Sequence, residues 1–100
     1  MVVVRGVNVY PSAVEEIIRG LGEVAEYRVH VTSAGPLTEL DVEMEPAVDC
    51  ADPVALATHL ERRFQSTLAL RVGVRIAARG SLPRFENKAK RWVRDEHAKG

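Results

Sequence analysis

Tyr27-Arg-Val-His-Val-Thr-Ser-Ala-Gly-Pro-Leu-Thr-Glu-Leu-Asp-Val-Glu-Met-Glu45 consists of two alternating runs around a turn. In the first run Tyr27, Val29 and Val31 share one face, and Arg28, His30 and Thr32 share the other. In the second, Leu40, Val42 and Met44 alternate with Asp41, Glu43 and Glu45. A period of two belongs to a strand with one buried face, and Ser33 to Pro36 has the composition of a turn. The stretch therefore predicts a β-hairpin, with the bases of one strand set against the acids of the next, which favours pairing.

Helical patterns flank this hairpin. On the N-terminal side Ser12, with Glu15 three residues on, reads as a capping box. Val14, Ile17, Ile18 and Leu21 follow at helical spacing, and Gly20 and Gly22 end the helix. On the C-terminal side Asp52 reads as an N-cap with Pro53 at the first helical position, followed by the stripe Leu56, Leu60, Phe64 and Leu68. Val72, Val74 and Ile76 then alternate with Arg71, Gly73 and Arg75, which predicts another strand. At the start, Val2–Val4 and Val7–Val9 flank Arg5-Gly6 as a short extended segment or a tight hairpin. Lys88 to His97 reads as a short terminal helix with Trp92 and Val93 as its apolar contacts. The expected fold class is α+β: a small ferredoxin-like β-α-β-β-α-β sandwich, its sheet mainly antiparallel, its helices on one face, with a C-terminal helix added.

Composition bounds the function. One hundred residues, 46% hydrophobic and 28% charged, suit one domain with one core, residues 1–100, and exclude a disordered chain. No apolar run approaches the ~20 residues of a membrane-spanning helix, so no membrane partner is expected. The single Cys50 cannot form an internal disulfide, which fits a reducing, cytoplasmic setting. His30, His59 and His97 share no ligand spacing with Cys50, and no metal site is expected. The net charge is zero, yet Glu39 to Asp52 carries only acids while Arg79 to Lys99 is mostly basic. Such a basic tail suits phosphate chemistry, nucleic acid or solubility alone. The strands offer no aromatic pair for stacking RNA bases, so no nucleic-acid partner is expected.

Two segments carry chemistry. The first is Leu82-Pro-Arg-Phe-Glu-Asn-Lys-Ala-Lys-Arg91, which centres on Lys88; the second is Arg5-Gly-Val-Asn-Val-Tyr-Pro-Ser-Ala-Val-Glu-Glu16. Taken singly, Lys88 is an exposed lysine opening a helix and Arg5-Gly6 an ordinary hairpin tip. Together, in this order and separation, they resemble the C-terminal domain of the adenylate-forming superfamily, and within it the phenylacetate-CoA ligase family. The first segment is similar to the family's Leu-Pro-Arg-x-x-Gly-Lys-x-x-Arg pattern, with Asn87 in place of the glycine. Asparagine is the next most tolerant residue of a left-handed backbone. The second matches Arg-Gly-x-Asn-x-x-Pro-Ser-x-x-Glu-Glu without a gap.

This resemblance, from Met1 to about Arg94, implies a mobile lid domain of an ATP-dependent aryl- or arylacetyl-CoA ligase. It implies Lys88 as the catalytic lysine of adenylation and Arg5, Gly6, Val7 and Asn8 as the loop used in thioester formation with coenzyme A. Pro83, Arg84, Asn87 and Arg91 would support the lysine. An ammonium on a long stem suits a step in which carboxylate and phosphates repel each other. Gly6 would allow close backbone approach to the substrate. ATP, coenzyme A and Mg²⁺ would serve the complete enzyme, with none bound to the isolated, inactive domain. The partners would be a large N-terminal adenylation domain outside these residues and a small aromatic carboxylic acid, and Met1 would fall at or just after the interdomain hinge. The alternative from topology alone is a stand-alone ACT-like regulatory module that binds a small ligand.

Overall fold

The computed structural model describes residues 1–34, 37–84 and 88–96. Gly35, Pro36, Asn87 and His97, to which the sequence assigns turn, loop and helix-end roles, lie outside the described residues. The chain runs β1 (Val2–Val4), β2 (Val7–Val9), α1 (Pro11–Leu21), β3 (Val24–Ala34), β4 (Leu37–Pro46), α2 (Pro53–Leu68), β5 (Gly73–Ile76), a 3₁₀ turn (Lys88–Arg91) and β6 (Trp92–Glu96). The hairpin Tyr27–Glu45 forms as its alternation predicts. Val29 pairs with Val42 and Val31 with Leu40 in an antiparallel ladder, with a register shift between Val24 and Glu26. Arg28 donates to Glu43 at 2.9 Å and His30 bonds the same carboxylate, so the bases do face the acids.

The main sheet has the order β5-β4-β3-β6, with β4–β5 and β3–β6 parallel, flanking the long antiparallel pair. Ile17 and Ile18 of α1 and Leu56, Leu60 and Phe64 of α2 share one core with Tyr27, Val29, Val31, Leu40, Val42 and Met44. The result is the expected α+β sandwich. Asp52 caps α2, accepting from the Ala55 N–H at 3.1 Å, with Pro53 at the first position. Among the described residues no helix is long and apolar enough to cross a membrane.

Four local expectations are corrected. The terminal helix over Lys88–His97 is instead the 3₁₀ turn followed by β6, whose Trp92 pairs with Val29 and Val93 with His30. Strand β3 would otherwise expose a row of unpaired backbone groups, and Trp92 and Val93 suit a strand; that edge outweighs local helix propensity. At the start the tight hairpin, one of the two readings, does form, but β1–β2 makes its own two-stranded sheet and does not supply the first strand of the main one. Helix α1 begins one residue before Ser12, with Tyr10 as N-cap, Pro11 at the first position and no side-chain cap. Proline needs no partner for an N–H it lacks, and Glu15 is engaged elsewhere. Gly20 stays within α1, which ends at Gly22 in the left-handed conformation, φ +77°.

Candidate functional site

The Arg5-Gly6 tip joins β1 to β2 with φ of +50° at Arg5 and +80° at Gly6. Two successive positive φ values are those of the tight hairpin turn that matches strand twist. A Cβ at Gly6 would meet nothing within 4 Å in this chain, so the backbone conformation alone explains the glycine here. The Arg5 guanidinium pairs with Glu39 of β4, which raises its pKa through hydrogen bonding and charge. Val7 packs against the core, while Asn8 is exposed and pairs with Val3.

The segment before Lys88 is tied to the other end of β4. Glu45, 2% exposed, accepts from the Gly80 N–H at 2.9 Å and the Leu82 N–H at 3.3 Å. Arg84 closes on it with a two-pronged contact, Nη1 to Oε1 and Nη2 to Oε2, each at 2.8 Å. Planar guanidinium and carboxylate match in this geometry. Arg84 and the two backbone donors hold the Glu45 carboxyl down at about 2 despite its burial. Arg79 adds bonds to the carbonyls of Ala47 and Cys50, at 3.3 and 2.9 Å. Leu82 is buried beneath this segment, while Pro83 and Arg84 are exposed.

On the far side of Lys88, Arg91 is buried at 7% exposure beside Glu26 at 4%. Its Nε donates to Glu26 Oε1 at 2.8 Å, its Nη1 reaches Glu15 Oε1 at 3.4 Å, and its guanidinium lies 5.0 Å from the Tyr27 ring centroid. The hydrogen bond to Glu26 raises the Arg91 pKa. Tyr27 donates its hydroxyl to Glu15 at 2.9 Å, and burial pushes its phenol up to about 12. The backbone of Lys88 opens the 3₁₀ turn that Arg91 closes.

The structure thus ties Arg84 to Glu45 and Arg91 to Glu26, before and after Lys88 in the chain, and ties the Arg5 tip to Glu39 instead. Glu39 and Glu45, the acids that hold Arg5 and Arg84, are six residue steps apart along extended strand, about 20 Å. Sequence reasoning missed Glu45, Glu26, Glu15 and Tyr27 as partners of this loop. The available signal was the pair of arginines flanking Lys88, each of which requires an acid if its segment packs.

The family model described as AMP-binding enzyme C-terminal domain matches residues 6–96. Phenylacetate-coenzyme A ligase of Escherichia coli (strain K12) is 33% identical over 99 residues, covering 89% of this chain and 22% of that protein. The enzyme of the same name from Pseudomonas putida is 27% identical over 95 residues, with the same coverage. The chain therefore spans about a fifth of the length of the curated relatives it matches. Among solved structures, 2-hydroxyisobutyryl-CoA ligase in the postadenylation state with 2-HIB-AMP is 28% identical, with a TM-score of 0.81 over 95% of this chain and 21% of that one. The same ligase with 2-HIB-AMP and CoA in the thioesterification state is 30% identical, with a TM-score of 0.78 over 94% of this chain and 21% of that one. With the match running from Gly6 to Glu96, the chain belongs to the AMP-binding enzyme C-terminal domain family.

Proposed function

We propose that residues 1–100 form the mobile C-terminal domain of a cytoplasmic, ATP-dependent aryl- or arylacetyl-CoA ligase, acting with a large N-terminal adenylation domain. In the first half-reaction a small aromatic carboxylate attacks the α-phosphate of ATP and pyrophosphate leaves; Mg²⁺ enters with the nucleotide. Lys88 serves this step, its ammonium bridging the carboxylate and phosphate oxygens that would otherwise repel each other. In the second half-reaction the coenzyme A thiol attacks the acyl adenylate and AMP leaves. The loop Arg5-Gly6-Val7-Asn8 serves that step, with Arg5 and Asn8 as exposed polar groups and Gly6 free of a side chain. Pro83, Arg84, Asn87 and Arg91 support the lysine.

One observation carries this reading: the two motif loops are held at opposite ends of a single strand, β4, by Arg5–Glu39 and Arg84–Glu45. A rigid body that presents different loops from different ends suits a domain that turns between two half-reactions at one site. The 2-hydroxyisobutyryl-CoA ligase structures, solved in postadenylation and thioesterification states, add support by similarity.

The test is Lys88→Ala in the complete enzyme, with each half-reaction assayed separately. Adenylation, followed by pyrophosphate release, is expected to fall about 100- to 1000-fold, in the range for loss of one group that stabilises transition-state charge. Thioester formation from supplied acyl adenylate is expected to persist. Equal loss in both half-reactions would overturn the assignment.

A further inference from the structure

Glu26 and Glu45 are register partners, directly opposite each other across the β3–β4 ladder. Both are buried, at 4% and 2% exposure. Two like charges set opposite each other on neighbouring strands oppose pairing, and a buried carboxylate without a counter-charge is costlier still. Here each is met by an arginine from a distant part of the chain. Arg84 closes on Glu45 and Arg91 on Glu26, and Lys88 lies between the two arginines in sequence.

The path of the chain makes this arrangement informative. Strands β5 and β6 lie on opposite edges of the sheet, and the described parts of the segment between them meet β4 before residue 85 and β3 after residue 87. It is tied down just where the two carboxylates sit: Gly80, Leu82 and Arg84 on Glu45, then Arg91 on Glu26. Only three residues separate Arg84 from Lys88, and the 3₁₀ turn joins Lys88 directly to Arg91. With both anchors made, Lys88 is tethered to the sheet on both its N-terminal and C-terminal sides. With either anchor lost, one side of the segment is released.

We infer that Glu26 and Glu45 are positioning residues for Lys88: the paired carboxylates clamp the two arginines that bracket it and so set where its backbone stands. Neither acid touches substrate in this scheme; each acts through an arginine. The inference rests on the assignment of Lys88 to adenylation. It goes further by locating the determinant of lysine placement in two strand residues outside both motifs.

The experiment compares Glu45→Gln, Glu26→Gln and Lys88→Ala in the complete enzyme, with both half-reactions followed and folding checked by thermal unfolding. Misplacement of a catalytic group by about 1 Å costs up to ~100-fold in rate. Adenylation kcat in the two glutamine variants is therefore expected to drop roughly 10- to 100-fold, with KM for ATP and for the acid little changed. Thioester formation from supplied acyl adenylate should stay near the parent level, because the Arg5 loop is held by Glu39. Where a glutamine variant fails to fold, Glu45→Asp takes its place: it keeps the charge, shortens the reach and is expected to give an intermediate adenylation rate. Arg84→Lys, which keeps the charge but loses the fork, should reproduce the Glu45→Gln profile. If Lys88→Ala impairs adenylation selectively but the folded glutamate variants impair both steps equally, or neither, the positioning role is overturned while the lysine assignment stands. If Lys88→Ala itself shows no selectivity, the assignment beneath it fails first.

Discussion

Arg91 reaches back 65 residues to place its Nε 2.8 Å from Glu26, with the Tyr27 ring against its guanidinium. Removing one member of a buried ion pair costs up to about 3–5 kcal/mol, and here Arg19, 3.9 Å from Glu26, keeps part of the counter-charge in place. Arg91→Ala is accordingly expected to lower unfolding free energy by that order in urea titration. The double variant Glu26→Gln, Arg91→Met should lose less than the sum of the two single changes, since the two side chains contact each other directly. Additive losses would show that the pair does not act as a unit.

The acid limb of stability should trace Glu45. Its folded pKa, held near 2 by Arg84, lies below the ordinary value of 4.5, so the native state favours the ionised form. The resulting stability is fully present above about pH 4.5 and is lost as pH falls through 2. Glu45→Gln should flatten the pH dependence of unfolding in that window, measured by circular dichroism at a series of acid pH values. An unchanged profile would argue against the Arg84–Glu45 contact in solution.

Tyr27 governs the alkaline limb with the opposite sign. Its folded pKa is pushed up to about 12 from 10.0, so the native state favours the neutral phenol. That contribution is intact below pH 10 and declines as pH rises through about 12. Tyr27→Phe should remove this alkaline sensitivity and also delete the late tyrosinate step seen by ultraviolet titration. Retention of that step in the variant would assign it elsewhere.

At the hairpin tip, Gly6→Ala tests backbone strain without a clash. A Cβ there finds open space, but φ is +80°, and the left-handed region costs an L-residue about 1–2 kcal/mol. A loss of that size by thermal unfolding is expected, with Gly6→Asn milder. A loss well beyond it would mean a contact at the tip that the open surroundings do not provide.

The elements legible in the sequence were those with a local cause. Alternation placed β3 and β4, Asp52-Pro53 placed the start of α2, and the glycine after Arg5 placed the hairpin turn. Lys88 to Glu96 was not legible, because what makes Trp92–Glu96 a strand is the free edge of β3, more than fifty residues earlier. Glu45 was hidden for a related reason. In its strand it continues the polar series Asp41, Glu43, and only the later passage of Arg84 over it turns a surface acid into a buried one. Glu15 looked like the far half of a capping box, whereas α1 starts at Pro11 with no side-chain cap and Glu15 bonds Tyr27 and Arg91.

The edge position of β6 also bears on the order in which the molecule forms. The β3–β4 hairpin needs only a short connection to close, while β6 must find β3 across most of the chain, and distant pairings form slowly. Until β6 docks and the flanking arginines arrive, Glu26 and Glu45 oppose each other without Arg91 and Arg84 to offset them. The last pairing to form is thus expected to consolidate the first, and the segment bearing Lys88 should take shape at the end of folding. The single tryptophan, Trp92, sits in β6 and can report this in stopped-flow refolding: its fluorescence should change after the main rise in β-sheet signal. Coincident phases would instead mean that edge and hairpin form together.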